Sequence, residues 1–355
     1  DLSLQAARQR AEEARKLLVL GIDPGLQRRL DKISRIDTEQ ATFAVVAAEL
    51  LAKKRCEGRA EMTLAKNEWI FGLTGEAFGK RPLSDIAAPE VLAVLRRVEA
   101  KGRLETAKRM RSMISEVFRY GIATGRASSD PTQALRGALT APVVKHRAAI
   151  TEPMAFGGLL RAVDGFQGQP TTVAALKLLA LLAARPGELR LAEWSEFDLE
   201  KAVWTVPAKR MKMRREHKVP LPRQAVAILA ALHALTGRGR LVFPGYGKTA
   251  KDGGVLEPKP ISENTLNAAL RRMGFGPDDM TAHGFRASFS TMANESGKWN
   301  PDAIERALAH ADQDGIRAIY ARGAYWQERV ALAQWWADEN DRMRQGGKVL
   351  KFQAG

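Results

Sequence analysis

From Val173 to Ala184 the chain runs apolar for twelve residues, interrupted only by Lys177. A bilayer needs about 20 apolar residues in a row, so this stretch reads as a helix buried in a protein core. At 355 residues there is room for two or three domains with cores of their own. Lys and Arg number 56 against 40 Asp and Glu, a formal charge of +16, and that surplus calls for a polyanionic partner. A membrane surface fits less well, because the basic residues are spread over several segments and no lipidation signal is visible. Cys56 is the only cysteine, which excludes internal disulfides and a cysteine-based zinc site. With no signal-peptide pattern, a reducing cytoplasm is the expected location.

The rest of the chain reads as mainly α. Residues 3–20 suit an amphipathic helix stopped at Gly21-Ile22-Asp23-Pro24. Further helices are expected from Thr38, as N-cap, to Arg55, from Ala60 to Leu73, and from Pro89 to a stop at Gly102. In the next, 104–123, Leu104, Ala107, Ile114, Val117 and Phe118 share one face, while Lys108, Arg111, Ser115 and Arg119 share another. A basic face is often only solvated, yet 36–147 holds 19 Lys/Arg against 13 Asp/Glu, and that tilts it toward nucleic acid. Residues 138–150, with Pro142, Lys145, His146 and Arg147, look like a linker. Thr151 is the expected cap of the following region, with helices at 153–163 and 171–183 and Arg185 placed just before Pro186 at a helix start. Val203–Pro207 and Lys218–Leu221 read as two strands joined by a basic turn, and 205–223 carries seven Lys/Arg and one Glu. Gly245-Tyr246-Gly247-Lys248-Thr249 is not a phosphate loop, because Val242 stands where that pattern needs glycine. A helix over 262–273 carries Arg271 and Arg272.

The chemistry gathers in 281–320: Thr281-Ala282-His283-Gly284-Phe285-Arg286, then Leu308-Ala309-His310, and ten residues later Tyr320. A phenol of pKa ~10 is only about 0.1% ionised at neutral pH, so it attacks well only beside a base and cations. Arginine is the natural clamp for a phosphoryl group. The pattern suggests a tyrosine attacking a phosphodiester. His-x-x-Arg alone is a weak signal, and one histidine capping a helix with another in the core is the bland alternative. Upstream, however, lie Ala184-Arg185-Pro186-Gly187-Glu188-Leu189 and Arg210-Met211-Lys212-Met213-Arg214-Arg215-Glu216-His217-Lys218-Val219-Pro220-Leu221.

An Arg, a Lys on a basic hairpin, His-x-x-Arg, His and Tyr in that order resembles the tyrosine recombinases, the phage-integrase family. Ile304-Glu305-Arg306 before the second His and Trp335-Trp336-Ala337-Asp338 near the end resemble the prophage and genomic-island type. The resemblance runs over nearly the whole chain. It implies an all-helical core-site DNA-binding domain at 36–137 and a linker at 138–150. An α-rich catalytic domain with a small β-sheet or hairpin would follow at 151–345, with a tail at 346–355. Residues 1–35 would be the remnant of an N-terminal arm-binding domain. The implied activity is integration or excision of a mobile element through a 3′-phosphotyrosine. Tyr320 would be the nucleophile, and Arg185, Lys212, His283, Arg286 and His310 the other catalytic residues, with Glu188 supporting. Lys209 rivals Lys212, and Tyr325 rivals Tyr320, though family spacing favours Lys212 and Tyr320. A surface ion pair is the alternative for Glu188. Lys108, Arg111, Arg119, Lys145, Arg147, Lys209, Arg214, Arg215, Arg271 and Arg272 are candidate DNA contacts. The resemblance further implies double-stranded attachment-site DNA as partner, a homotetramer on DNA from a free monomer, and accessory bending or excision factors. No metal, cofactor or membrane is called for; the five histidines show no metal-ligand spacing. Trp335, Trp336 and Val349–Phe352 would either pack on the chain's own core or dock on a neighbouring protomer. A type IB topoisomerase-like enzyme and a catalytically silent architectural protein are the alternative readings.

Overall fold

The computed structural model describes residues 11–12, 15–16, 18–21, 23–25, 41–143, 147–211, 214–245, 258–310 and 325–346. The chain divides into two compact units, Asp1–Val144 and Lys145–Gly355, and the division falls within the 138–150 stretch. Most of the helix expected at 3–20 lies outside the described residues; Gly21 does take the left-handed conformation, at φ +74°.

In the first unit four helices enclose one core: α1 (Phe43–Cys56), α2 (Glu61–Phe78), α3 (Ala88–Glu99) and α4 (Leu104–Ala123). Phe43, Val46, Ala47, Leu50 and Leu51 are the buried stripe of α1, at the three- and four-residue spacing a helix requires. The ring of Phe43 stands edge-on to that of Phe78, 5.0 Å away, and meets Phe71 and Phe118 as well. The start of α1 differs from the expected Thr38 cap. Thr42 is extended and bridged to Pro82, and the amides of Phe43 and Ala44 donate to Arg81 O and Gly79 O at 3.0 and 2.9 Å. A main-chain segment 35 residues on thus satisfies the first-turn N–H groups, a role that a side-chain cap would otherwise fill. Helix α3 ends at Glu99, short of Gly102, which sits at φ +72° in the turn beyond. On α4 the buried face is Ala107, Met110, Met113, Ile114, Val117, Phe118 and Gly121, and Leu104 is only partly covered.

The second unit is built around the long apolar helix. Its elements are α5 (Pro153–Gly165), α6 (Pro170–Leu182), α7 (Pro186–Arg190), β1 (Phe197–Asp198), β2 (Val203–Val206), β3 (His217–Pro220), α8 (Arg223–Thr236), α9 (Thr265–Arg272), α10 (Gly284–Glu295), α11 (Pro301–Ala307) and α12 (Trp326–Gln345). Helix α6 touches α5, α7, α8, α9, α10 and α12, which explains why its sequence is apolar on every face. Helix α12 is fastened to it by Trp336 Nε1 and Asn340 Nδ2, both donating to Ala180 O. Trp336 is 1% exposed among Phe156 and Phe289, and Trp335 stacks obliquely on Trp299, so both indoles pack on the chain's own core. Val349–Phe352 lies outside the described residues.

Two expectations need correction here. The cap of α5 is Glu152, not Thr151: with Pro153 at the first helical position, the Glu152 carboxylate accepts from the amides of Met154 and Ala155 at 3.0 and 2.6 Å. The expected two-stranded hairpin is a three-stranded antiparallel sheet of order β1-β2-β3, in which Trp204 opposes Val219 and Val206 opposes His217. The third strand, β1, was not legible because two residues carry no alternation to read. The result is a mainly α protein with a small sheet. Among the described residues no helix is long and apolar enough to cross a membrane.

Candidate active site

Three chain turns of the second unit converge on one cationic cluster. The first is the junction between α6 and α7. Helix α6 ends at Ala183, a non-glycine residue in the left-handed conformation (φ 45°, ψ 29°), and Arg185 is the extended N-cap of α7. The second is the start of α10, where His283 is the N-cap residue and Arg286 lies in the first turn. The third is the end of α11. There Ala309 N–H donates to Arg306 O and His310 N–H to Glu305 O, while Ala309 takes φ 50°. This is the Schellman arrangement, with alanine at the position where glycine is usual. A left-handed alanine is disfavoured by roughly 1–2 kcal/mol, so each turn is held by its surroundings.

Those surroundings are the two arginines. Arg286, only 5% exposed, donates through Nη1 to Ala183 O (2.7 Å) and through Nη2 to Leu308 O (2.6 Å). Its Nη2 also lies 3.1 Å from His310 Nε2. Arg185 donates through Nη2 to Ala309 O (2.9 Å) and through Nη1 to Glu188 Oε1 (2.7 Å). The Glu188 side chain is buried, so the pair is not the surface ion pair that was the alternative. Thus Ala183 and Ala309 each turn their carbonyl toward one of the arginines, and each arginine keeps further N–H groups beyond those it uses. Burial, reinforced by Arg185, brings Arg286 down to about 10, which leaves it cationic at neutral pH.

His283 completes the cluster. Burial lowers it to about 4, with Arg147, Arg286, Arg185 and His310 adding repulsion in that order. The imidazole is therefore neutral at pH 7 and able to accept a proton. Its place depends on Gly284: a Cβ there would sit 2.4 Å from Ala148 O and 3.1 Å from Ala149 Cα. Thr281 donates to Ala148 O, and Ser288 Oγ donates to Ile150 O at 2.6 Å, which ties the entering segment to α10.

The sequence-derived candidates separate as follows. Arg185, Glu188, His283, Arg286 and His310 come together. Lys212, Tyr320 and Lys145 lie outside the described residues. The rival Tyr325 is the left-handed N-cap of α12, with its hydroxyl 3.5 Å from the Asp302 carboxylate. Lys108, Arg119, Arg147, Lys209, Arg214, Arg215 and Arg272 are exposed, and Arg272 also covers the Phe166 ring. Arg111 reaches back to Thr132 O at 3.4 Å. Arg271 is a brace: its Nη1 donates to the carbonyls of Phe275, Gly276 and Met280, closing the turn before His283.

Some participants were not singled out from the sequence. Arg210, taken only as part of a basic turn, is half-buried at the base of the hairpin, pairs with Glu196 at 2.9 Å and donates to Glu188 O at 3.1 Å. Glu305, quoted from the sequence only within Ile304-Glu305-Arg306 and given no role there, accepts from His310 Nδ1 at 2.7 Å. Ala183 and Ala309 give no sequence signal, because nothing in an alanine announces a positive φ. Among the described residues no group of three or more His, Cys, Asp or Glu side chains is placed to hold a metal ion.

Residues 43–138 match the phage integrase central domain and residues 158–326 the phage integrase family. The prophage integrase IntZ of Escherichia coli strain K12 is 37% identical over 350 residues, covering 97% of this chain and 82% of that protein. The integrase of Enterobacteria phage P4 is 34% identical over 361 residues, 97% of this chain and 79% of that one. The fold is similar to that of a lambda integrase tetramer bound to a Holliday junction, with a TM-score of 0.58 and 18% identity over 88% of this chain and 90% of the other.

Proposed function

The chain belongs to the phage integrase family and is a site-specific DNA recombinase, and from that premise we propose how its own residues carry the reaction. Tyr320 attacks the scissile phosphate of double-stranded attachment-site DNA. One P–O bond forms to the phenol oxygen and the bond to the 5′-oxygen breaks, leaving a 3′-phosphotyrosyl enzyme and a 5′-hydroxyl. The 5′-hydroxyl of a partner strand then reverses the attack. One phosphodiester is exchanged for another, so the bond energy is kept in the phosphotyrosine and no nucleotide hydrolysis is called for.

The observation that carries this reading is the pairing of Arg185 and Arg286 by main-chain carbonyls, Ala309 O and Ala183 O, beside His283 and His310. Arg286, held by the neutral carbonyls of Ala183 and Leu308, keeps its positive charge for an anion while Arg185 shares its charge with Glu188, and the added negative charge of a pentavalent phosphate is what the pair can stabilise. Removing one donor of this kind commonly lowers the rate ~10²–10³-fold. His283, neutral at rest, takes the phenol proton; an arriving phosphate anion offsets the nearby guanidinium charges and makes the imidazole more basic. Lys212 protonates the departing 5′-oxygen, with Arg210 anchoring the base of its turn. Glu188 orients Arg185.

Lys108, Arg119, Arg147, Lys209, Arg214, Arg215 and Arg272 supply phosphate contacts, as do Lys145 and Arg111. Arg271 we leave out, since three carbonyls hold it. A tetramer on DNA, assembled from free monomers in the cytoplasm with accessory bending factors, is the working form, as the tetramer of lambda integrase on its junction suggests.

The test uses labelled half-sites nicked just past the cleavage point, so that the 5′ fragment diffuses away. A denaturing gel should show a covalent protein–DNA band for the wild type and for Tyr325→Phe, and none for Tyr320→Phe. Loss with Tyr325→Phe instead would move the nucleophile. Tight binding to a cognate site without any band would overturn the reading in favour of an architectural protein.

A further inference from the structure

Helix α11 ends in a turn that brings the side chains of Glu305 and His310 together. In the Schellman arrangement the residue three from the helix end and the second residue beyond it are neighbours, and an apolar contact usually links them. Here the contact joins a carboxylate to an imidazole, Glu305 Oε2 to His310 Nδ1 at 2.7 Å. On the far side of the ring, His310 Nε2 faces Arg286 Nη2 at 3.1 Å. A guanidinium only donates, and an ionised carboxylate only accepts. One arrangement of hydrogens satisfies both contacts: the proton sits on Nδ1 and donates to Glu305, and the Nε2 lone pair accepts from Arg286.

That arrangement has a consequence for the reaction proposed above, on which this inference rests. A phosphate oxygen is an acceptor too, and His310 with a bare Nε2 cannot donate to it. Once the phosphate takes over the Arg286 N–H, Nε2 is left against an oxygen and needs a proton of its own. The charged and titratable groups around the ring are Glu305 on its own element, Arg286 and His283 from α10, and Arg185 with Glu188 from α7. His217 on β3 senses the same two arginines. In this set Glu305 is the anion in direct contact with the imidazole.

We propose that Glu305 is a positioning residue that holds His310 in the Nδ1–H form in the free enzyme and supports the doubly protonated ring that donates to the scissile phosphate. His310 then changes from acceptor to donor as substrate engages, taking one proton from solvent. No bond of the DNA is broken in this step, and the proton returns to solvent when the phosphate leaves.

The experiment compares the full chain with its Glu305→Gln, Glu305→Ala and Tyr320→Phe variants. Glutamine keeps an acceptor for Nδ1–H and removes the charge; alanine removes both. Imidazole ¹⁵N shifts of the free wild-type protein should show the Nδ1–H pattern for His310, retained in Glu305→Gln and lost in Glu305→Ala. The rate of covalent-complex formation on nicked half-sites is then followed against pH. Removing the anion that faces Nδ1 disfavours the doubly protonated ring, so the alkaline limb should move to lower pH in Glu305→Gln. A Glu305→Gln profile superimposed on wild type, or an Nε2–H pattern in the free protein, overturns the inference while a dead Tyr320→Phe leaves the recombinase reading standing. A wild type that forms no covalent complex on its cognate site overturns both.

Discussion

Arg126 and Arg286 are both guanidinium groups held in a fork of acceptors, and the acceptors differ in kind. In the first unit Arg126 is clamped by both oxygens of Glu49, Arg55 meets Glu68 and Arg81 meets Glu90. In the second unit Arg286 is held by the carbonyls of Ala183 and Leu308, Arg161 by those of Met343 and Arg344, and Arg190 by that of Ile261. The division is not absolute: Arg81 and Arg111 also take carbonyls in the first unit, and in the second Arg185, Arg190, Arg210, Arg240 and Arg344 also meet carboxylates. What differs is the charge that remains. A carboxylate partner cancels the cation, whereas carbonyls fix its geometry and leave its charge available to an anion. Around Arg286 the second unit therefore carries, alongside ion pairs of its own, a preorganised cationic site, whereas the ion pairs of the first unit organise its surface.

The sharpest test of that contrast is Arg286→Lys. An ammonium cannot reproduce the planar fork across two carbonyls, so covalent-complex formation should fall ~10²–10³-fold even though the charge is kept. A near-wild-type rate in the nicked half-site assay would mean that charge alone suffices and that the carbonyl clamp is irrelevant.

Next in size are the two cores. Phe43→Ala and Trp336→Ala should each destabilise by about 3–5 kcal/mol, because both rings are almost wholly buried. Calorimetry should show each substitution lowering the transition of its own unit, and equal shifts of one shared transition would argue against two separate cores.

Acid should distinguish the units as well, because all five histidines, at 146, 217, 233, 283 and 310, follow residue 144. Burial first, and then Arg329, hold His217 at about 4 against an ordinary 6.5. The folded state thus favours neutral His217, while the unfolded chain protonates it from pH 6.5 downward. Stability of the second unit should fall as pH drops from 6.5 and level off near 4, by at most roughly 3 kcal/mol from this residue. His217→Gln should make that decline shallower in pH-dependent denaturation curves, leaving the share of His283, which burial also holds at about 4, and an unchanged slope would show that His217 is not a source of it.

The smallest effect is expected at Arg126. Arg126→Lys keeps a cation opposite the partly exposed Glu49, so the change should stay below ~1 kcal/mol and shrink further at high salt. A loss as large as that at a core position would put the first unit's ion pairs on the same footing as the buried cluster.

Much of this architecture was readable along the chain. Helix α4 runs over the span its periodicity suggested, and α6 is as buried as its uninterrupted apolar sequence requires. The order of Arg185, His283, Arg286 and His310 pointed to a phosphoryl clamp, and these residues do converge. Less legible were features that depend on partners far away in sequence. The start of α1 is set by carbonyls at 79 and 81, so Thr38 as a cap was a reasonable local inference overruled by a tertiary contact. Arg271 read as a surface cation because its three acceptors come from a turn that sequence spacing does not reveal. Arg210 hid among other basic residues, and its contact with Glu196, 14 residues back, carries no signal in sequence.

The sequence by itself determined the mainly helical class, the two-part organisation and the residue types that serve phosphoryl chemistry, because periodicity, charge and ordered motifs are local properties of a chain. Only the tertiary structure decided that two left-handed alanines aim their carbonyls at two arginines, and that Glu305 holds the ring that Arg286 faces. The physical reason is that a hydrogen bond depends on where donor and acceptor meet in space. Residues as far apart as Ala183 and Arg286 meet only once α6, α10 and α11 have packed.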